Sequence, residues 1–557
     1  MSTGQRVVIL GGGFGGAFTA KYLNRYAPAN VEVELINDTN YFVFQPLLPE
    51  VASGTINAQD AVVPLRVMLK GIKVRMADVT DVDREARQIH IVQGSKRTLL
   101  TVPYDHLVIA VGQQTNVGHS PGFSEHSLTM RNLADAHGLR NHLIQCLEHA
   151  DVTEDANVKR RLLTFVVAGG GFSGVETMGE VTEMIYRTLK FYPNIRPDEI
   201  RAVLVQRGPR ILPELSQRLG EYAQRKLSRR GVEVRLGASI QSATATAVYL
   251  DDADCIETQT LVTTVGNGPR PITESLGIEL QRGKILVDEY LQVSGFTQVW
   301  SLGYAALIPL SSVEGDDTQY APPTAQFAVR EARCLAKNIV SSLLEKPLKP
   351  FAYRPRGALA SIGNYRAVAE IFGVRLSGLF AWVLWRGFYI GMLPGFSTRL
   401  RVALNWLFDY FLPRSIVQIA NKERPAASYR RYARGDVIFR PGQIVDGFYT
   451  IVSGGLESRI PDATSDEDFV RILGPGDHWG ELSLNAEFET HGTLTAVQDT
   501  QVLVLRRADF RNLLAAFPAL DNYFRSISEE IYAPSLRAAS RKRAEPRRSQ
   551  EMGHEHR

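Results

Sequence analysis

Twice in this chain an apolar run ends in a glycine-rich turn. Val7-Val8-Ile9-Leu10 leads into Gly11-Gly12-Gly13-Phe14-Gly15-Gly16, and Phe165-Val166-Val167-Ala168 into Gly169-Gly170-Gly171-Phe172-Ser173-Gly174. Each reads as a buried strand, a tight turn and a helix start, an arrangement in which backbone N–H groups and a helix N-terminus cradle a pyrophosphate. A single match is weak, but two, each between a strand and a helix, imply two nucleotide sites on one protein. The economical reading is an enzyme that holds a flavin in the first site and receives a nicotinamide in the second. Gly11, Gly13, Phe14 and Gly16 are the contacts expected in the first site, and Gly169, Gly171 and Gly174 those in the second.

A chain of 557 residues is too long for one core and predicts about three domains. The fold class expected is α/β: two Rossmann-type dinucleotide-binding domains, one inserted in the other, then amphipathic membrane-anchoring helices, then an all-β roll with flanking helices. The first domain spans 1–160 and resumes at 271–350, because a strand leading into a glycine recurs at Val299-Trp300-Ser301-Leu302-Gly303. The second domain occupies 161–270 and closes in Leu261-Val262-Thr263-Thr264-Val265-Gly266. An aromatic and basic segment fills 351–421, a turn-rich module 428–532, and a basic tail expected to be disordered 533–557. Cys146, Cys255 and Cys334 lie far apart, which excludes a disulfide framework, a dithiol redox motif and a metal site, and points to a reducing compartment. No signal peptide is expected ahead of the first strand, and no uncharged apolar run reaches the roughly 20 residues needed to span a bilayer.

In dinucleotide-binding domains the second strand usually ends in an acid that binds the ribose. Here the first domain offers Asn37, twenty-one residues after Gly16, and the second offers Gln206 followed by Arg207. An amide still bonds a diol but does not repel the extra phosphate of NADPH, and Arg207 and Arg210 would attract it. NADH is therefore expected as the donor, with NADPH accepted beside it. Against this stands the plainer reading that both arginines point to water.

Further stretches carry a specific resemblance. Gln45-Pro46-Leu47-Leu48 with Val51-Ala52-Ser53-Gly54, the Ile109-Ala110-Val111-Gly112 turn, and Pro322-Pro323-Thr324-Ala325-Gln326 join the first fingerprint. With these, residues of about 5 to 421 resemble the type II NADH:quinone oxidoreductases, FAD enzymes with two dinucleotide-binding domains. The resemblance implies hydride transfer from the nicotinamide to FAD and two electrons onward to a membrane quinone, without proton pumping. It places Gln45, Gly112, Gly303 and Ala325 at FAD and Gly266 over the dinucleotide. It also puts Glu176 near the flavin face as a positioning group or proton source, and Gln326 at the quinone carbonyl. One departure matters: where the family carries Gly-Asp-x-Ala, this chain has Gly303-Tyr304-Ala305-Ala306. Losing that carboxylate removes an acceptor worth about 1.5–3 kcal/mol, and the competing expectation is a non-catalytic or redox-sensing regulator with impaired FAD binding.

Eight arginines against Glu370 and Asp409 between residues 352 and 421 make a local positive surplus in a chain of net charge +4, which suggests an anionic lipid surface. In Arg399 to Leu412 the residues Arg401, Asn405 and Asp409 recur every four positions as one polar stripe, and apolar residues cover the rest. Such a helix lies in a membrane interface with its arginines at the headgroups. The same faces suit a homodimer or domain interface as the alternative. The expected location is the cytoplasmic side of the cell inner membrane, peripherally held, with no nucleic-acid partner.

Residues 430–530 resemble a cyclic-nucleotide-binding domain through Phe448-Tyr449-Thr450-Ile451-Val452-Ser453-Gly454, Ile472-Leu473-Gly474-Pro475-Gly476-Asp477 and Gly480-Glu481-Leu482. The resemblance gives Glu481 to the ribose. No arginine or lysine lies between 472 and 505 to pair with a cyclic phosphate, so a degenerate docking or regulatory roll is expected rather than a working sensor.

Overall fold

The computed structural model describes residues 4–116, 120–251, 254–310, 319–355, 357–418, 427–443, 445–461, 468–480, 490, 492–517, 520 and 523–524. Contacts divide the chain into two compact units.

The larger unit holds both glycine fingerprints. The central strands of its first sheet are short and buried on both faces, as parallel strands require. Strand Arg6–Leu10 lies between Glu32–Asn37 and His106–Ile109, both parallel to it. The late strand Val299–Ser301 adds in parallel beside His106–Ile109, so the chain does return to the first sheet. The second sheet repeats the plan: Thr164–Ala168 lies between Arg201–Gln206 and Thr260–Thr263, again parallel. Helices Phe14–Tyr26 and Phe172–Thr188 follow the two fingerprints. Residues 351–421, expected only as amphipathic helices, begin instead with a three-stranded antiparallel sheet, Gly357–Ser361, Ala367–Ile371 and Val374–Gly378. Two helices follow, Leu379–Met392 and Phe396–Phe411.

The smaller unit contains two four-stranded antiparallel sheets of the C-terminal module. Tyr432, Phe439, Tyr449, Leu456, Leu473, Trp479, Leu494 and Val502 fill the space between them. The hairpin strands Ile240–Ala243, Ala247–Leu250 and Cys255–Glu257 group with this module, through an Ala245 N–H bond to the Arg431 carbonyl at 3.1 Å. The Arg431 N–H donates to His126 Nε2 at 2.9 Å, and burial pushes the His126 pKa down to about 4, which keeps that nitrogen an acceptor.

Candidate functional site

The two fingerprints have the same local architecture, and the reason lies in where a side chain would collide. Gly11 has φ +101°, and a Cβ there would meet the Ala110 carbonyl oxygen at 2.4 Å. Its counterpart Gly169, at φ +108°, would meet Thr264 Oγ1 at 2.6 Å. Gly16 and Gly174 sit against the carbonyl oxygens of Gly11 and Gly169, 1.9 and 1.7 Å from an added Cβ. Only hydrogen fits at these positions. Gly13 and Gly171 are different. An added Cβ meets nothing within 4 Å at Gly13 and only Glu214 Oε1 at 3.8 Å at Gly171. Both are N-cap residues without a side-chain cap, so the first N–H groups of each helix are left to a ligand.

The amides at the ends of the second strands also correspond. Gly12 N–H donates to Asn37 Oδ1 at 2.7 Å, and Gly170 N–H to Gln206 Oε1 at 2.8 Å. Asn37 spends its NH2 on Thr39, on the carbonyl and the hydroxyl at 2.9 Å each, so its donors are not free for a ribose. The Gln206 NH2 makes no hydrogen bond among the described residues. Arg207 is exposed, while Arg210 donates to the Pro213 carbonyl at 2.7 Å. Phe14 departs from the expected contact role: its ring is buried against Phe42 and Phe44, centroids 4.9 and 5.6 Å apart, so only its backbone faces the turn.

Near the first cleft, Gly112 has φ +70° and open space around it, and the buried Gln113 Oε1 beside it has no hydrogen-bond partner. An uncapped helix end, an open glycine and an orphaned polar atom fit a bound dinucleotide cofactor. Gln45 Nε2 donates to the Arg131 carbonyl at 3.2 Å. The Arg131 guanidinium in turn donates to Thr115 Oγ1 and to the Gly266 carbonyl, each at 2.6 Å, joining the turn that closes the second sheet to the first-sheet side. Gly303, at φ +70°, donates its N–H to Glu331 Oε2 at 2.9 Å. Burial raises the Glu331 pKa to about 7. Burial also raises that of Tyr304, opposed by Arg131 and aided by Glu331. Ala325 and Gln326 open helix Ala325–Leu343, which Thr324 caps by accepting the Phe327 N–H at 3.3 Å. Capping is thus done by Thr324, and the Gln326 side chain has no partner among the described residues.

Glu176, in the second turn of the second fingerprint helix, is 7% exposed. Its Oε1 accepts the Ser361 N–H at 3.0 Å and the Trp385 indole N–H at 3.1 Å. Burial raises its pKa to about 8 against these two bonds, with Glu180 adding to the rise. Around it stands a charged cluster that sequence reasoning did not find. Glu50 accepts from the Trp406 indole at 2.8 Å and lies 3.7 Å from Arg386. Glu180 accepts from Ser53 Oγ at 2.7 Å. Arg414, buried, reaches Asp409 at 3.0 Å, Glu183 at 3.2 Å and Glu180 at 3.7 Å. Burial raises the pKa of both Glu50 and Glu180. The available signal was Glu176, Glu180 and Glu183 at helical spacing on one helix.

The two C-terminal helices of this unit turn charged as well as apolar residues inward and leave many apolar residues outside. Their inward residues include Trp385, Arg386, Trp406 and Asp409, with the Arg386 guanidinium 4.0 Å from the Trp382 ring centroid and 4.3 Å from that of Trp406. The polar stripe expected at headgroups is divided: Arg401 stays exposed, while Asn405 and Asp409 bond to protein. Asn405 Nδ2 donates to Asp60 at 2.7 Å, and Asp409 pairs with Arg187 at 2.7 Å. Arg386 and Arg414 are likewise consumed inside, so the local positive surplus is smaller at the surface than in the sequence. Exposed are Leu379, Phe380, Val383, Phe396, Leu400, Leu404, Leu407, Phe408 and Phe411. Among the described residues no helix is long and apolar enough to cross a membrane, and no cluster suited to a metal is found.

In the C-terminal module Gly480 has φ +103°, with the Gly447 carbonyl oxygen 2.8 Å from an added Cβ. Glu481 and the tail 533–557 lie outside the described residues.

Residues 5–332 match the pyridine nucleotide-disulphide oxidoreductase family, 356–415 the NDH2 C-terminal domain and 429–517 the cyclic nucleotide-binding domain. The chain is 32% identical to the type II NADH:quinone oxidoreductase Ndh of Mycobacterium tuberculosis, over 74% of this chain and 89% of that one. It belongs to the type II NADH:quinone oxidoreductases. The enzyme is also 30% identical to the demethylphylloquinone reductase NdbB of Synechocystis, over 72% of its length and 95% of the relative. In fold it is similar to the structure of NDH2 from Plasmodium falciparum in complex with NADH, with a TM-score of 0.69 at 21% identity, covering 74% of the enzyme and all of that chain.

Proposed function

We propose that the enzyme holds FAD in the first cleft, oxidises NADH and also NADPH in the second, and reduces a membrane quinone. The doubled cradle carries this reading: Gly13 and Gly171 stand open at uncapped helix ends while their neighbours Gly12 and Gly170 are engaged by Asn37 and Gln206. A bound flavin takes a hydride from a nicotinamide and passes two electrons to a quinone.

The chain's own residues do the rest. The free NH2 of Gln206 and the exposed Arg207 present donors and no carboxylate to the adenosine ribose, which suits a 2′-phosphate as well as a hydroxyl. Glu176 holds a proton at neutral pH because its pKa is about 8, and so serves as a donor to a quinone oxygen. Gln326, at the start of its helix, donates to a quinone carbonyl, aided by the helix N-terminus. Tyr304 offers the ribityl chain a neutral phenol in place of a carboxylate, which weakens FAD without excluding it. The apolar faces of helices Leu379–Met392 and Phe396–Phe411 seat the enzyme on the lipid surface that holds its quinone, on the cytoplasmic side of the inner membrane. The cyclic-nucleotide-type roll acts in docking or regulation.

Steady-state rates of the purified enzyme with each nicotinamide and a short-chain quinone test this. The expected result is quinone-dependent turnover with both donors, their kcat/KM values differing by less than roughly a hundredfold. Turnover with neither, in protein that takes up no FAD, favours the second reading that Tyr304 motivates, a regulator built on the same fold.

A further inference from the structure

We infer that Trp385 is a positioning residue for the quinone half of the reaction: its indole N–H, together with the Ser361 amide, pins one oxygen of Glu176 and leaves the other to carry the proton. This deepens the proposed role of Glu176 and rests on it.

Both donors reach the same atom. Ser361 N–H lies 3.0 Å and Trp385 Nε1 3.1 Å from Oε1, and Oε2 makes no hydrogen bond among the described residues. A carboxyl whose Oε1 already accepts two N–H groups carries its proton on Oε2. The indole cannot swing away easily. Trp385 is 1% exposed, lies edge-on to Tyr389 at 4.7 Å between centroids, and rests against Trp406 at 6.2 Å. Tyr389 is held in turn edge-on to Phe44 at 5.8 Å.

The location of Trp385 is the second argument. It belongs to helix Leu379–Met392, whose outer face is apolar and exposed. A helix that only docks on lipid needs volume at its inner face, and phenylalanine or leucine supplies it. An indole here adds a directed donor, and buried tryptophan N–H groups find partners. The neighbouring helix repeats the device, with Trp406 donating to Glu50 at 2.8 Å. The helices that present apolar faces outward therefore also grip two buried carboxylates from the fingerprint side.

Besides burial, the groups acting on Glu176 are the Ser361 N–H from strand Gly357–Ser361, the Trp385 indole and Glu180 on its own helix, and Glu176 in turn acts on Tyr389 of the docking helix. Glu183, Arg414, Ser53 and Arg386 act in turn on Glu180, which itself acts on Glu50. Trp385 favours the charged form of Glu176, so removing its donor makes the carboxyl hold its proton more tightly.

The test uses the full-length, flavin-loaded enzyme in lipid, comparing W385F, W385H, E176Q and the W385F/E176Q double variant by the pH profile of quinone-limited kcat. W385F is expected to move the profile by about one pH unit to higher pH and to lower kcat several-fold, with KM for NADH within about twofold. W385H, which keeps a ring N–H, restores most of the shift. In the E176Q background W385F has no further effect, because both act through one carboxylate. An unshifted W385F beside an impaired E176Q, or losses that simply multiply in the double variant, overturns the positioning role alone. An E176Q enzyme with normal turnover and profile overturns the proposed role of Glu176, and this inference with it.

Discussion

A carboxyl group shut away from water keeps its proton longer, and Glu176 shows how far a protein carries this while still offering two N–H bonds to one oxygen. Its pKa, raised to about 8, is above the 4.5 of the unfolded chain, so the folded state binds the proton more tightly. The stability this group contributes is complete below about 4.5 and declines as the pH rises through about 8. Tm should therefore fall more between pH 5.5 and 8.5 in the wild type than in E176Q, a difference differential scanning fluorimetry reads directly. Equal slopes would show that Glu176 is not the titrating group. The glycines give a second contrast. Gly16→Ala forces a Cβ to 1.9 Å from a carbonyl oxygen and should cost more than about 3 kcal/mol in chemical denaturation. Gly13→Ala meets nothing in the protein, should leave stability within about 1 kcal/mol, and should lower FAD affinity at least about tenfold. The glycine pattern was legible in the sequence because hard-sphere contact leaves no substitute. The fate of Phe14 was not: whether a ring beside a glycine turn faces ligand or core depends on Phe42 and Phe44, which reach it only after folding. Trp385 and Glu176 are 209 positions apart, and no local spacing announces their bond.

Among the elements, the two helices after the three-stranded sheet carry most of the functional argument. Periodicity identified Arg401, Asn405 and Asp409 as one stripe, but periodicity is silent on which face is inside. Asn405 bonded to Asp60, and Asp409 paired with Arg187 and Arg414, turn that part of the stripe inward beside Val402 and Trp406, while Arg401 and the apolar Leu400, Leu404, Leu407, Phe408 and Phe411 are outside. An outward apolar surface suits lipid better than water. Leu404→Glu with Phe408→Glu should abolish co-sedimentation with liposomes of mixed neutral and anionic lipid while leaving NADH oxidation by a soluble acceptor intact. Retained liposome binding would contradict the docking role. Arg414 ties Asp409, Glu183 and Glu180 together at the inner side of these helices, and its removal leaves buried carboxylates unpaired. Arg414→Ala should cost about 3–5 kcal/mol, measured by urea unfolding. The strands Gly357–Ser361, Ala367–Ile371 and Val374–Gly378 escaped sequence reading because small residues and interspersed charges weaken the alternation that marks a strand.

At the scale of the whole molecule, what a sequence displays best is repetition. The doubled strand–glycine–helix unit, and the late strand Val299–Ser301 rejoining the first sheet, were both visible as patterns in one dimension. The grouping of Ile240–Gln259 with the C-terminal module was not, since it depends on contacts between segments some 180 residues apart, such as Ala245 with Arg431. The substitution at Tyr304 bears on the whole account, because both half-reactions require a flavin in the first cleft. The most direct measurement is therefore the visible spectrum of the purified enzyme without oxygen, taken before NADH, after NADH and after a quinone. The account predicts a flavin band that bleaches with NADH and returns with quinone. A preparation that shows no flavin band after incubation with FAD, or a band that NADH leaves unchanged, would contradict it.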